Sequence, residues 1–197
     1  MTSTTNFAEH FDANLISWPG ASPRIFLGSS DAAHCSIQTL RRLRITHILV
    51  AGIGLEQPHK ESDIKHLKLK LIDLPMQTLT PSLTPACEFI ASVAEGDAVL
   101  VHCARGVSRS ASIVIAYVSR CLHCSYEEAI AIVRKARQCI MPNFGFEGEL
   151  RMWCRDQQVC APPPAPAPAI LDVDVVVVTT SPPRSPPRSP PPLPSEE

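Results

Sequence analysis

Two rhythms of apolar and polar residues run through the first 160 positions. Residues 66–72 (HLKLKLI) alternate strictly, with Leu67, Leu69 and Leu71 on one side and Lys68 and Lys70 on the other. A period of two marks a strand with one buried face. Residues 24–27 (RIFL) and 45–50 (ITHILV) are short β-rich runs. Residues 98–102 (AVLVH) form an unbroken apolar run after Gly96-Asp97, as a strand buried on both faces would. Between these lie segments with helical spacing, at about 30–43, 82–95, 109–122, 125–137 and 146–158. Ser125 and Glu128, ahead of Ala129, Ile130 and Ile132, form a capping box. Phe7, Phe11 and Leu15 recur at i, i+4 and i+8, which predicts a short packed helix within residues 1–19. Strands alternating with helices predict an α/β domain with a central, mostly parallel sheet flanked by helices.

The alternation stops near residue 160. Of the 20 prolines, 13 lie from Pro162 onward. Such text cannot bury enough apolar surface to offset its ordering entropy, so 161–197 is read as a disordered Pro-rich tail. The expected organisation is an N-terminal segment (1–19), an α/β domain (20–160) and the tail. Within the tail, Arg184, Pro187 and Pro190, and Arg188, Pro191 and Pro194, have the spacing of ligands for polyproline-reading domains, because prolines three apart share a face of a polyproline II helix.

Charge narrows the function classes. With 18 Lys+Arg against 19 Asp+Glu the net charge is -1, which argues against nucleic-acid binding by bulk electrostatics. No run is long and apolar enough to span a bilayer. The N-terminus lacks the basic and apolar regions of a secretory signal. A cytoplasmic location, and also a nuclear one, is expected. The 8 cysteines are then read as free thiols, or as a site, before they are read as disulfides. Cys121 and Cys124 have the spacing of half a zinc site, but no second pair follows at suitable distance, so no metal and no cofactor are expected.

Candidate chemistry sits in the loop after 98–102. It reads His102-Cys103-Ala104-Arg105-Gly106-Val107-Ser108-Arg109-Ser110 and leads into a helix. In parallel sheets, ligands bind beyond the carboxyl ends of the strands. A tight loop containing Gly106 and entering a helix gathers backbone N–H groups at the positive end of the helix dipole, a nest for a phosphate dianion. Arg109 adds a planar fork matched to two phosphate oxygens. The same field favours the thiolate of Cys103 and makes it a nucleophile. Asp73, which ends the 66–72 strand and begins an irregular stretch (73–81) placed to fold over the pocket, is the candidate general acid; Asp63 and Asp97 are weaker rivals.

The run HCARGVSRSASIVIAYV (102–118) resembles the signature of cysteine-based protein phosphatases, in particular the small, atypical dual-specificity branch. Met141-Pro142-Asn143-Phe144-Gly145-Phe146, with Leu150 and Trp153, is similar to the family's Pro-Asn-x-Gly-Phe segment. Ile25-Phe26-Leu27-Gly28-Ser29 is similar to its first strand, and the likeness covers about residues 20–157. The resemblance implies hydrolysis of phosphotyrosine and phosphoserine or phosphothreonine in phosphoproteins through a cysteinyl-phosphate, without a metal. It implies Cys103 as nucleophile, Arg109 as phosphate clamp, Asp73 as acid and base, and Ser110 as stabiliser of the departing thiolate. The backbone of Ala104, Arg105, Gly106, Val107 and Ser108 would bind phosphate, with His102 and Asn143 in support. In relatives an Asn often follows the 45–50 strand; Ala51-Gly52 here implies looser support for the loop. The competing expectation is a weakly active or inactive phosphate-binding module recruited through the tail.

Overall fold

The structure, a computed structural model, describes residues 11–159; the tail and its proline motifs lie outside the described residues. Five strands form one sheet: β1 (Ala13–Ile16), β2 (Arg24–Gly28), β3 (Ile45–Ala51), β4 (Lys65–Leu69) and β5 (Ala98–His102), in the order β1-β2-β5-β3-β4. β5 lies at the centre, parallel to β2 and β3, and β3 is parallel to β4. Only β1, at the edge, runs antiparallel.

Alternation explains how each strand serves two layers. Val99 and Val101 of β5 face a core shared with Ile25, Leu27 and Leu49, while Ala98 and Leu100 face a second core with Phe26, Ile48 and Val50. All five residues of β5 are buried, as its uninterrupted apolar text predicts. The second face is covered by two short helices, α1 (Ser30–Ala33) and α2 (Ile37–Arg42). The first is covered by α3 (Thr80–Ala91), α4 (Arg109–Leu122), α5 (Tyr126–Ala136) and α6 (Phe144–Val159). α4 packs against α3, α5 and α6 as well as the sheet, so every residue from Ser110 to Ser119 is buried. Its buried serines are satisfied: Ser110 Oγ donates to Cys103 Sγ, Ser112 Oγ to the Ser108 carbonyl and Ser119 Oγ to the Cys124 carbonyl.

Some expectations are corrected. Residues 13–16 are a strand, not part of a helix; β1 pairs Leu15 with Phe26, and Phe11 stacks edge-on against Phe26 at 5.6 Å. Arg24–Gly28 is therefore the second strand. The helical text at 30–43 is two helices, each capped by its own serine, Ser29 and Ser36. β4 ends at Leu69, four residues before Asp73, because the Leu71 N–H turns back to the Leu69 carbonyl. Leu69 and Leu71 are nevertheless buried while Lys68 and Lys70 are exposed, so the alternation describes burial beyond the strand itself. The Ser125–Glu128 capping box is formed.

Candidate active site

β5 delivers Cys103 to the carboxyl edge of the sheet, and the loop 103–108 closes over it before α4 begins. The loop carbonyls from Ala104 to Ser108 are each held by a hydrogen bond. The Ala104 carbonyl accepts from Ser30 N and Oγ, those of Arg105 and Gly106 from Arg137, that of Val107 from Met141 N, and that of Ser108 from Ser112. A trans peptide points its N–H opposite to its C=O, so outward carbonyls turn the loop amides inward. α4 has no side-chain N-cap bond at Ser108, which leaves its first amides for an anion.

Cys103 is 1% exposed. Its Sγ accepts from Gly106 N and Ser110 Oγ, each at 3.2 Å. Burial pushes the thiol up, but the hydrogen bonds from Ser110 and from the Arg105 and Gly106 backbone outweigh it and hold the thiol below its ordinary value. His102 is wholly buried behind it, with Nδ1 3.3 Å from the Cys103 carbonyl; burial lowers its pKa to about 4, so the ring is neutral at neutral pH.

Arg109 and Asp73 meet Cys103 at one cleft of about 460 Å³, walled on the far side by Met141, Pro142, Asn143 and Phe144. Arg109 is mostly buried, its Nε 3.6 Å from Asp73 Oδ2 and without a hydrogen-bond partner among the described residues. Gly52 makes room for it: a Cβ there would stand 2.7 Å from Arg109 Nη1. The small residue thus serves the guanidinium, and the loop carbonyls find their support elsewhere. Asp73 Oδ1 accepts from Ser108 Oγ at 2.6 Å and Asn143 Nδ2 at 2.9 Å. Asn143 also caps α6, its Oδ1 accepting from Phe146 N.

A family model described as "Dual specificity phosphatase, catalytic domain" matches residues 25–156. The chain belongs to the dual-specificity phosphatase family. It is 38% identical over 133 residues to mouse dual specificity protein phosphatase 19, covering 66% of this chain but only 59% of that protein. It is 33% identical over 147 residues to mouse dual specificity protein phosphatase 22, covering 68% of this chain and 78% of that one. The crystal structure of human DUSP28 superposes with a TM-score of 0.64 at 29% identity, over 74% of this chain and 95% of that one.

Within this dual-specificity phosphatase fold, the rival carboxylates lie elsewhere. Asp63 pairs with Arg41 and Asp97 with Arg44, around a depression at the opposite, amino end of the strands. Ser108, expected to contribute backbone to phosphate binding, spends its hydroxyl on Asp73. The sequence reading missed Arg137, Asp12 and Asn14, which back the loop, and Glu149, whose carboxylate accepts from Leu79 N and Thr80 N at the start of α3. One signal for Arg137 was available: Tyr126, Ala129, Ile130 and Val133 form the buried stripe of α5, and position 137 continues it. The seven described cysteines are free thiols. No helix among the described residues is long and apolar enough to cross a membrane.

Proposed function

We propose that the protein is a phosphoprotein phosphatase acting on phosphotyrosine and phosphoserine or phosphothreonine through a cysteinyl-phosphate. What carries the reading is the convergence of a hydrogen-bonded Cys103 sulfur, inward loop amides, Arg109 and Asp73 on one cleft. The Cys103 thiolate attacks phosphorus, forming the S–P bond as the P–O ester bond breaks. Asp73 gives its proton to the leaving oxygen. The amides of 104–108 and the Arg109 fork hold the equatorial oxygens and offset the charge of the transition state. A water then attacks the phosphocysteine, Asp73 takes its proton, and inorganic phosphate leaves. Cys103 departs as a thiolate, stabilised by Ser110 Oγ. Protein groups supply every step.

The test is turnover of an aryl phosphate in the presence of a chelator. Cys103→Ser should lose turnover by about 10³-fold or more while still binding inorganic phosphate, and wild type should form an alkali-stable phosphocysteine, trapped by rapid quench into alkaline denaturant. Retention of more than a few percent of the wild-type rate by Cys103→Ser would sink the covalent route.

A further inference from the structure

We propose that Arg137, anchored by Asp12 and Asn14, is a positioning residue for the phosphate loop. It holds the Arg105 and Gly106 carbonyls away from the cleft and so aims the loop amides at the Cys103 sulfur and at substrate phosphate. The inference rests on the phosphatase reading of that loop and deepens it.

Every N–H of the Arg137 guanidinium has an acceptor. Nε donates to the Gly106 carbonyl at 3.0 Å. Nη1 donates to Asp12 Oδ1 at 3.0 Å and Asn14 Oδ1 at 2.9 Å. Nη2 donates to the Arg105 carbonyl at 3.1 Å and Asp12 Oδ2 at 3.3 Å. The Arg105 carbonyl and the Gly106 N–H belong to one planar peptide, and they point in opposite directions. The N–H of that peptide is the one that reaches Cys103 Sγ, at 3.2 Å. Fixing the carbonyl on Arg137 therefore fixes the amide on the sulfur. The next peptide repeats the logic: Nε on the Gly106 carbonyl sends the Val107 N–H towards the cleft.

The loop has little room to choose otherwise. Gly106 takes φ +68°, and a Cβ there would lie 2.6 Å from the Gly28 carbonyl and 2.9 Å from Arg137 Nη2. The loop is thus pinned between the end of β2 and the guanidinium. A lysine has one compact charge and cannot hold two successive carbonyls in a plane. The Arg137 side chain is only 7% exposed, and Asp12 supplies the counter-charge that makes its burial tolerable. Asp12 and Asn14 lie just before and within β1, so the edge strand reaches the catalytic loop through the Arg137 side chain.

The experiment uses the full chain and reads Cys103 without turnover. The rate of Cys103 alkylation by iodoacetamide, followed on its own peptide by mass spectrometry, is measured against pH with and without inorganic phosphate. In Arg137→Lys the alkylation midpoint should rise by about one pH unit, because an amide aimed at the thiolate is lost. Phosphate should protect about tenfold more weakly. Millimolar guanidinium ion should restore part of both effects in Arg137→Ala and none in Arg137→Lys, whose side chain occupies the site. Asp12→Asn, which keeps an acceptor but drops the charge, should shift both readouts in the same direction by less. It decides the question alone should the Arg137 variants fail to fold. Unchanged midpoint and protection in folded variants, beside a wild type with a low midpoint, would overturn the positioning role. A wild type with an ordinary thiol would instead overturn the phosphatase reading beneath it.

Discussion

Both donors to Asp73 sit on the same oxygen. Ser108 Oγ and Asn143 Nδ2 reach Oδ1, and Oδ2 is left facing Arg109. A proton on the carboxyl group therefore belongs on Oδ2, the oxygen towards the cleft. Across the cleft the Cys103 thiol is buried, which alone would raise its pKa, and hydrogen bonds reverse the sign. A group that reacts as its anion gives an acidic limb in kcat/KM, set by its own titration. Ser110→Ala removes the side-chain donor to the sulfur. The thiol pKa should rise, and the acidic limb should move to higher pH by about one unit, with the basic limb unmoved. Breakdown of the phosphoenzyme should slow as well, since the departing thiolate loses a donor. A pH–rate series on wild type and Ser110→Ala checks both, and coincident acidic limbs would remove Ser110 from the role. The convergence of Cys103 and Arg109 was legible because their spacing encodes a strand end and a loop, while Asp73 lies four residues past the end of β4 and was picked out by resemblance. The use of Ser108's hydroxyl was not, because which hydroxyl meets which carboxylate depends on how the 73–79 loop folds over α4, and no local pattern records that.

α6 works as a clamp on the acid loop. Asn143 holds Asp73 at the start of that loop, and Glu149, two turns along, holds Leu79 and Thr80 at its end. Between them Gly145 lies flat against Pro75: a Cβ at 145 would stand 1.9 Å from the Pro75 carbonyl oxygen, a backbone atom that cannot swing aside. Gly145→Ala must displace the loop that carries Asp73, yet it touches nothing that holds Cys103. It should lower kcat for an alkyl phosphate, whose leaving group needs the proton, by at least about tenfold, and lower it much less for an activated aryl phosphate. Phosphate affinity should stay within about twofold of wild type. Equal losses on both substrates would mean that the phosphate loop had moved too. The elements themselves were read well where the pattern is long: α4 spans the residues expected of it, and so does β5. The failures are short elements: the two small helices within 30–43, the early end of β4 and the edge strand β1. Four residues of β1 make a strand only because β2 offers an edge to pair with, and a spacing of four in Phe7, Phe11 and Leu15 fits a helix equally well in isolation.

For the whole molecule, the parallel sheet places its chemistry and its acid sensitivity at the same end. His102 closes β5, wholly buried, with a pKa brought down from the ordinary 6.5 to about 4, chiefly by burial and partly offset by the Cys103 carbonyl. Unfolding frees the ring to take a proton that the fold refuses. A folded pKa depressed below the unfolded one means stability that is complete above about pH 6.5 and is lost as the pH falls towards 4. A shift of this size amounts to about 3 kcal/mol. His47 and His66, also lowered by burial, act in the same direction. His34, raised by the Ser30 carbonyl and by Glu56, acts in the opposite direction but is mostly exposed and weak. Unfolding free energies from urea titrations should therefore fall steeply from pH 7 to pH 4.5. His102→Gln should start lower at pH 7 and fall less steeply, because the proton uptake that drives the slope is gone. Parallel slopes for the two proteins would show that His102 does not set the acid limit. Cys103, its thiol held below the ordinary value, loses its anion as the pH falls, and the histidine proton acts on the strand that carries it. Loss of the thiolate and loss of the fold on acidification both run through these adjacent residues. In wild type, loss of activity on acidification should separate into a reversible part that follows Cys103 and a slower part that follows unfolding. Jumps back to pH 7 after short and long exposures distinguish the two.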